Sequence, residues 1–186
     1  MQAAAPDALD GAKRDALERA KRVRLMLFDV DGVLTDGRLW YGPSGEEWKA
    51  FSVLDGHGLK LLIESGVAVG LLSGRKSAAV SARAAELGIT EVLQGVEDKR
   101  AAFEALAARL AVPAAEAGYM GDEVVDLPVL RRCGFACAPR EAHELVRAHA
   151  HYIAGAPAGS GAAREVCEFV MRARGTLEAA LARYLA

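Results

Sequence analysis

The chain has 186 residues, 52% of them apolar and 26% charged, with a formal net charge of -2 and a pI of about 6.1. That length suits one domain with its own core. No basic stripe marks a nucleic-acid surface, no apolar run reaches the roughly 20 residues of a membrane helix, and MQAAAPDALDGAKRDALERAKRVR lacks the apolar stretch of a secretory signal.

Residues 7–22, rich in Ala, Leu, Lys and Arg, predict an amphipathic helix, taken as an N-terminal extension (1–22) to a single domain spanning 23–186. The short apolar run 23–30 predicts a buried strand. Further strands are expected at 67–72, 91–94, 118–120, 134–138 and 152–154, with helices at 56–65, 76–87, 99–110, 125–133 and 140–148. This alternation predicts βαβ units and an α/β, Rossmann-like, mainly parallel sheet with helices on both faces. One segment breaks it. In GRLWYGPSGEEWKAFSVL, Leu39 and Tyr41 and then Trp48, Phe51 and Val53 flank a Gly-Pro-Ser-Gly turn, which predicts a β-hairpin over 38–51. An isolated hairpin is marginal in water, so it should pack on something, another subunit included. The stretch GAPAGSG at 155–161 reads as a flexible loop, and the tail from 162 as helices broken near Gly175. Cys133, Cys137 and Cys167 form neither an even set nor a CxxC pair, so reduced thiols in a cytoplasmic protein are expected.

The first strand ends in LMLFDVDGVLTDG, with Asp29 and Asp31 one residue apart. In an open α/β sheet, ligands bind at the carboxyl ends of strands. Acids two apart on extended backbone point the same way, and two like charges at close quarters need a cation or a shared proton. A single strand-end Asp turn would need no such explanation. Later strand ends carry further signals. Ser73, Gly74 and Arg75 offer a hydroxyl and backbone N–H groups that suit phosphate, although a Ser N-cap is the plainer alternative. Lys99 opens a helix, where a cation opposes the dipole, which hints at an anion partner, although a solvated lysine is the plainer reading of this residue alone. YMGDEVVD brings Gly121, Asp122, Glu123 and Asp126 together. Oxygen-only ligands favour magnesium over zinc.

The order DxD, Ser-Gly-Arg, Lys, GDxxxD resembles the haloacid dehalogenase superfamily of aspartate-nucleophile phosphatases, over almost the whole chain after residue 22. More narrowly, FDVDGVLTDG, FSVLDGHG, LLSGRKS, LGITEVLQGVEDK, GYMGDEVVDLPVL and GSGAAREVCEFV are similar to its capless branch, the 3-deoxy-D-manno-octulosonate 8-phosphate (KDO 8-phosphate) phosphatases of lipopolysaccharide biosynthesis. The resemblance implies a Mg²⁺-dependent hydrolase that works as a cytoplasmic homotetramer. It assigns Asp29 as nucleophile and metal ligand. Asp31 becomes a metal ligand through its carbonyl, a general acid and base, and a substrate contact. Ser73 and Lys99 hold the phosphoryl group. Asp122 is a third metal ligand, and Asp126 supports the metal or positions Lys99. Further substrate contacts fall at Ser52, Val53, Leu54, Asp55, Gly56, Lys60, Gly74, Arg75, Arg83 and Lys99, with residues 159–161 and Arg164 closing a neighbour's site. Lys60, Arg83 and Arg164 equally fit solvated helix faces. Alternatives are a phosphatase for a sialic-type nine-carbon acid 9-phosphate and a non-catalytic phosphate-binding relative. Three positions depart from the family pattern: Glu123 replaces an Asp, Leu54 a frequent Arg, and His57 a common aromatic.

Overall fold

The computed structural model describes residues 6–185, with side chains from Gly11 onward; positions 1–5 and 186, the ends of the predicted extension and tail, lie outside the described residues. Eight strands and eight α-helices are present among them. Six strands form one parallel sheet: β1 (Leu25–Phe28), β4 (Ala68–Ser73), β5 (Glu91–Gln94), β6 (Ala117–Met120), β7 (Phe135–Ala138) and β8 (Tyr152–Ile153), in the order β5-β4-β1-β6-β7-β8. The chain runs outward from β1 through β4 to β5, then crosses to β6 and runs outward the other way. The switch point therefore lies between β1 and β6, where such folds open a crevice. In register, Phe28 sits opposite Leu71 and Met120, so β1 and β6 end together while β4 runs two residues further, to Ser73.

The sequence LMLF of β1 is apolar at every position because helices cover both faces. Met26 and Phe28 pack with α2 (Val53–Glu64), α3 (Ala78–Leu87), α7 (Ala162–Arg174) and α1 (Pro6–Lys21). Leu25 and Leu27 face α4 (Lys99–Arg109), α5 (Leu127–Leu130) and α6 (Glu144–His149). Each such buried Leu or Phe contributes about 2 kcal/mol. Ala16 and Ala20 of α1 join the first core beside α7, and Arg174 Nη1 donates to the Val23 carbonyl at 2.6 Å. α8 (Leu177–Ala182) follows Gly175, whose φ of 72° ends α7.

Helix boundaries differ from the expectation where glycine or proline dilutes the pattern. α2 begins at Val53, three residues early, because Ser52 caps it by accepting from Leu54 N at 3.1 Å. Its Gly56 and Gly58 weaken the helix signal. They are required by close approach: a Cβ on Gly58 would lie 2.8 Å from Arg164 Cα, and one on Gly56 2.1 Å from Arg83 Nη2. The helix expected over 125–133 is a 3-10 turn (Val124–Asp126) followed by the short α5, with Pro128 in its first turn. The loop 155–161 is tied down along its length. Glu165 accepts from Gly155 N (3.0 Å) and Ala156 N (2.9 Å), and Gly159 N donates to the Val33 carbonyl at 3.0 Å.

Asp55 also belongs to this framework. Its buried carboxylate accepts from Gly161 N (3.2 Å) and Arg164 N (2.8 Å), capping the start of α7 from another helix. Asp55→Ala should cost about 1–2 kcal/mol, or about 5 °C in thermal midpoint, with little change in kcat; melting and rate measured on the same preparation check this.

The hairpin forms as β2 (Trp40–Tyr41) and β3 (Glu47–Trp48), antiparallel, with Trp40 opposite Trp48. Leu39, Trp40, Tyr41 and Trp48 stay exposed, yet the inward face of β3 docks on the chain's own strand ends.

Candidate active site

Asp29 leaves the end of β1 with its N–H donating to the Met120 carbonyl at 2.9 Å and its Oδ1 accepting from Val30 N at 2.7 Å. Lys99, only 6% exposed, enters from the first turn of α4. Its Nζ donates to Asp29 Oδ2 at 2.7 Å and to Asp126 Oδ1 at 2.6 Å. The anion that offsets its unfavourable helix position is thus a pair of carboxylates. Tyr119 donates to Asp126 Oδ1 at 2.5 Å, while Asp126 Oδ2 accepts from Asp122 N (3.0 Å) and Glu123 N (3.2 Å). Glu123 itself accepts from Val124 N at 2.6 Å and closes a capping box with Asp126, so the extra methylene serves the turn.

Asp29, Asp122 and Asp126 each offer an oxygen, and these atoms lie within 4.8 Å of one another. Asp126 meets four donors, which fills its lone-pair positions. Through these contacts it holds Lys99 and the 121–126 loop in place. Asp122 Oδ1, by contrast, is buried without a hydrogen-bond partner. Gly32, at φ 85°, passes so close that a Cβ there would lie 2.0 Å from Asp122 Oδ2. Three acids against one lysine leave negative charge in excess, and the oxygen donors of Asp29 and Asp122 fit a hard divalent cation.

The electrostatics agree. Burial, then Asp126, raises Asp29 to about 6 against the opposing pull of Lys99. Burial, then Asp29 and Asp126, raises Asp122 to about 7. Burial would lower Lys99, but Asp29 and Asp126 outweigh it and raise it. Unfolded, both acids titrate near 3.8. Between about pH 4 and 7 the folded state therefore binds more protons than the unfolded one, and these groups make the metal-free protein less stable as pH rises. In EDTA their contribution should lower the melting midpoint between about pH 5 and 7.5, and Mg²⁺ added at the upper end should raise it; no response to Mg²⁺ would contradict the site.

Ser73, at the end of β4, is buried with its Oγ accepting from Arg75 N at 3.2 Å. With Gly74, Arg75, Asp31, Glu123 and Val125 it completes, around Asp29, Lys99 and Asp122, a cleft of about 200 Å³. The remaining predicted contacts do not line this cleft in the single chain. Ser52 caps α2, and Val53 and Leu54 are exposed on its first turn. Gly56 accommodates Arg83, which donates to the Ser52 carbonyl at 3.2 Å and pairs with Glu86. Asp55 caps α7, Arg164 pairs with Glu168 and reaches His57 Nδ1 at 3.1 Å, and Lys60 is exposed. Residues 159–161 pack on the chain's own Val33 and Asp55.

Three residues at the site had no separate sequence signal attached. Lys49 pairs with Asp31 Oδ1, and with Glu47 Oε1 at 3.2 Å. Glu47 pairs with Arg75, which holds its carboxyl down at about 2. Tyr119 serves Asp126; a tyrosine inside a buried strand needs a partner for its hydroxyl, and that was the available clue.

The family model for haloacid dehalogenase-like hydrolases matches residues 82–166. The chain is 41% identical over 166 residues to the 3-deoxy-D-manno-octulosonate 8-phosphate phosphatase KdsC of Yersinia pestis, covering 89% of each. A solved probable YrbI family phosphatase from Pseudomonas syringae superimposes with a TM-score of 0.91 at 48% identity, over 93% of this chain and 98% of that one. The Moraxella catarrhalis 3-deoxy-D-manno-octulosonate 8-phosphate phosphatase, solved with magnesium, phosphate and KDO, gives a TM-score of 0.90 at 38% identity, over 92% and 98%. With its parallel sheet, its acids at the switch point and this likeness along nearly the full length, the chain belongs to the haloacid dehalogenase-like hydrolases and, within them, to the 3-deoxy-D-manno-octulosonate 8-phosphate phosphatase family.

Proposed function

We propose that the protein is a Mg²⁺-dependent phosphatase that converts KDO 8-phosphate to KDO and inorganic phosphate, a cytoplasmic step of lipopolysaccharide biosynthesis. The observation that carries this reading is the meeting of Asp29, Lys99 and the unpartnered Asp122 oxygen in one cleft, in a chain of this family. Asp29, Asp122 and the backbone carbonyl of Asp31 would hold Mg²⁺, whose charge offsets repulsion between the nucleophile and the phosphoryl oxygens. Asp29 takes the phosphoryl group as an aspartyl-phosphate, which splits hydrolysis into two displacements. Lys99 and Ser73 hold the phosphoryl oxygens. Asp31 gives a proton to the leaving alkoxide and then removes one from the attacking water. Arg75, at the mouth, suits an anionic group of the sugar acid. A module that only binds phosphate would not need Asp31 to move a proton.

A phosphate-release screen over sugar-acid phosphates tests the reading. KDO 8-phosphate should be hydrolysed fastest, EDTA should stop the reaction and Mg²⁺ should restore it. Preference for a nine-carbon acid 9-phosphate would move the substrate, and no release from any ester would remove the activity. The exposed aromatic face of the hairpin and the exposed Val53 and Leu54 support a homotetramer in which neighbouring chains wall the site. Light scattering at working concentration should give four chains; a fully active monomer at nanomolar concentration would contradict this.

A further inference from the structure

The hairpin does more than present aromatics. Glu47 in β3 and Lys49, the residue just past its end, are two apart and turn to the same side, while Trp48 between them is exposed. The Lys49 side chain is 1% exposed. An ammonium group so buried is costly unless paired, and both its partners are carboxylates: Asp31 Oδ1, and Glu47 Oε1 at 3.2 Å. Glu47 is anchored in turn by Arg75, whose Nη2 also donates to the Tyr41 hydroxyl at 3.1 Å. Lys49 is therefore held from the hairpin side and grips Asp31 from the site side.

The grip falls on one oxygen only. Asp31 Oδ2 is buried with no hydrogen-bond partner, and Arg75 Nε lies 3.7 Å from it. Asp31 also lines the cleft. A carboxylate held at neither oxygen can rotate and exchange them. We propose that Lys49 is a positioning residue for Asp31: by binding Oδ1 it keeps Oδ2 as the oxygen that carries the proton. The proposal rests on the phosphatase reading above. In the first displacement the Asp29–phosphorus bond forms, the bond to the ester oxygen breaks, and the proton on Asp31 Oδ2 passes to that oxygen. In the second, water attacks phosphorus, its proton goes to Asp31 Oδ2, and the Asp29–phosphorus bond breaks.

The experiment compares two esters. An alkyl phosphate needs a proton on its leaving oxygen, whereas p-nitrophenyl phosphate, whose phenolate leaves readily, does not. The ratio kcat/KM reports the steps up to transfer onto Asp29. In Lys49→Met it should fall about 100-fold for KDO 8-phosphate and by no more than roughly 3-fold for p-nitrophenyl phosphate, with Lys49→Arg recovering most of the alkyl rate. The preserved aryl rate also reports that the variant is folded. Equal losses on both esters, or no loss on either, would make Lys49 a staple for the hairpin and overturn the proposal. If the wild type hydrolyses another sugar phosphate but not KDO 8-phosphate, the substrate assignment fails and the comparison is run with that ester. If it hydrolyses no ester, the phosphatase reading and the role of Lys49 fall together.

Discussion

Replacing Asp29 by asparagine is expected to lower turnover of any phosphate ester by about four orders of magnitude while the protein still folds. An amide is a poor nucleophile, so the loss should appear in kcat/KM for alkyl and aryl esters alike. Folding should tolerate the change because the native carboxylate is not a net stabiliser. Burial and Asp126 raise it to about 6 even with Lys99 alongside, so its charge costs more than the lysine returns at neutral pH. The amide still reaches Val30 N or Lys99 with its one oxygen. A melting midpoint within about 3 °C of wild type is expected. Retained hydrolysis would exclude Asp29 as the nucleophile, and a collapse of the fold would show that its charge stabilises the native state.

Lys99→Met should have the opposite profile, losing stability as well as activity. Lys99 Nζ bridges Asp29 and Asp126, and removing it leaves two buried carboxylates facing each other without a cation. Breaking a buried pair in this way costs about 3–5 kcal/mol, or on the order of 10 °C in midpoint for a chain of this size. The deficit has a predictable pH dependence. Asp29 is already protonating near pH 6 in the native protein, and loss of Lys99 moves that protonation upward. The gap between variant and wild type should therefore narrow as pH falls below about 6 and widen toward neutrality. Melting curves at several pH values in EDTA check it; a gap independent of pH would mean that Lys99 contributes packing rather than charge.

The fold was legible where the pattern was long and uniform. LMLF reads as a buried strand because both faces of β1 are covered, and the alternation of short apolar runs with helices predicts the parallel sheet that is found. Less legible were elements governed by close approach. Gly56 and Gly58 lower helix propensity, yet α2 runs straight through them because Arg83 and Arg164 need the space. Pro128 and the capping box of Glu123 and Asp126 break the expected 125–133 helix into a turn and a short helix.

At the site, Asp29, Ser73, Lys99 and Asp122 could be read from position because each sits at a strand end or a helix start, where the topology alone brings residues together. Lys49 could not. Its link to Asp31, eighteen positions earlier, depends on how the hairpin leans over the strand ends, and period-two alternation in EEWK says only that Glu47 and Lys49 share a face. Asp55 and Arg164 illustrate the converse limit. A motif transfers residue names along the chain without their orientation, and in this chain both side chains are engaged within the framework of α2 and α7.

The central claim is that Asp29 receives the phosphoryl group. Asp31→Asn protein mixed with p-nitrophenyl phosphate and Mg²⁺ should form the acyl phosphate, since the aryl group leaves without a proton, and should release it slowly. After acid quenching and borohydride reduction, peptide mass spectrometry should find homoserine at position 29. An unmodified Asp29 in protein that has released one equivalent of p-nitrophenolate, or a phosphoryl group found on another residue, would contradict the account.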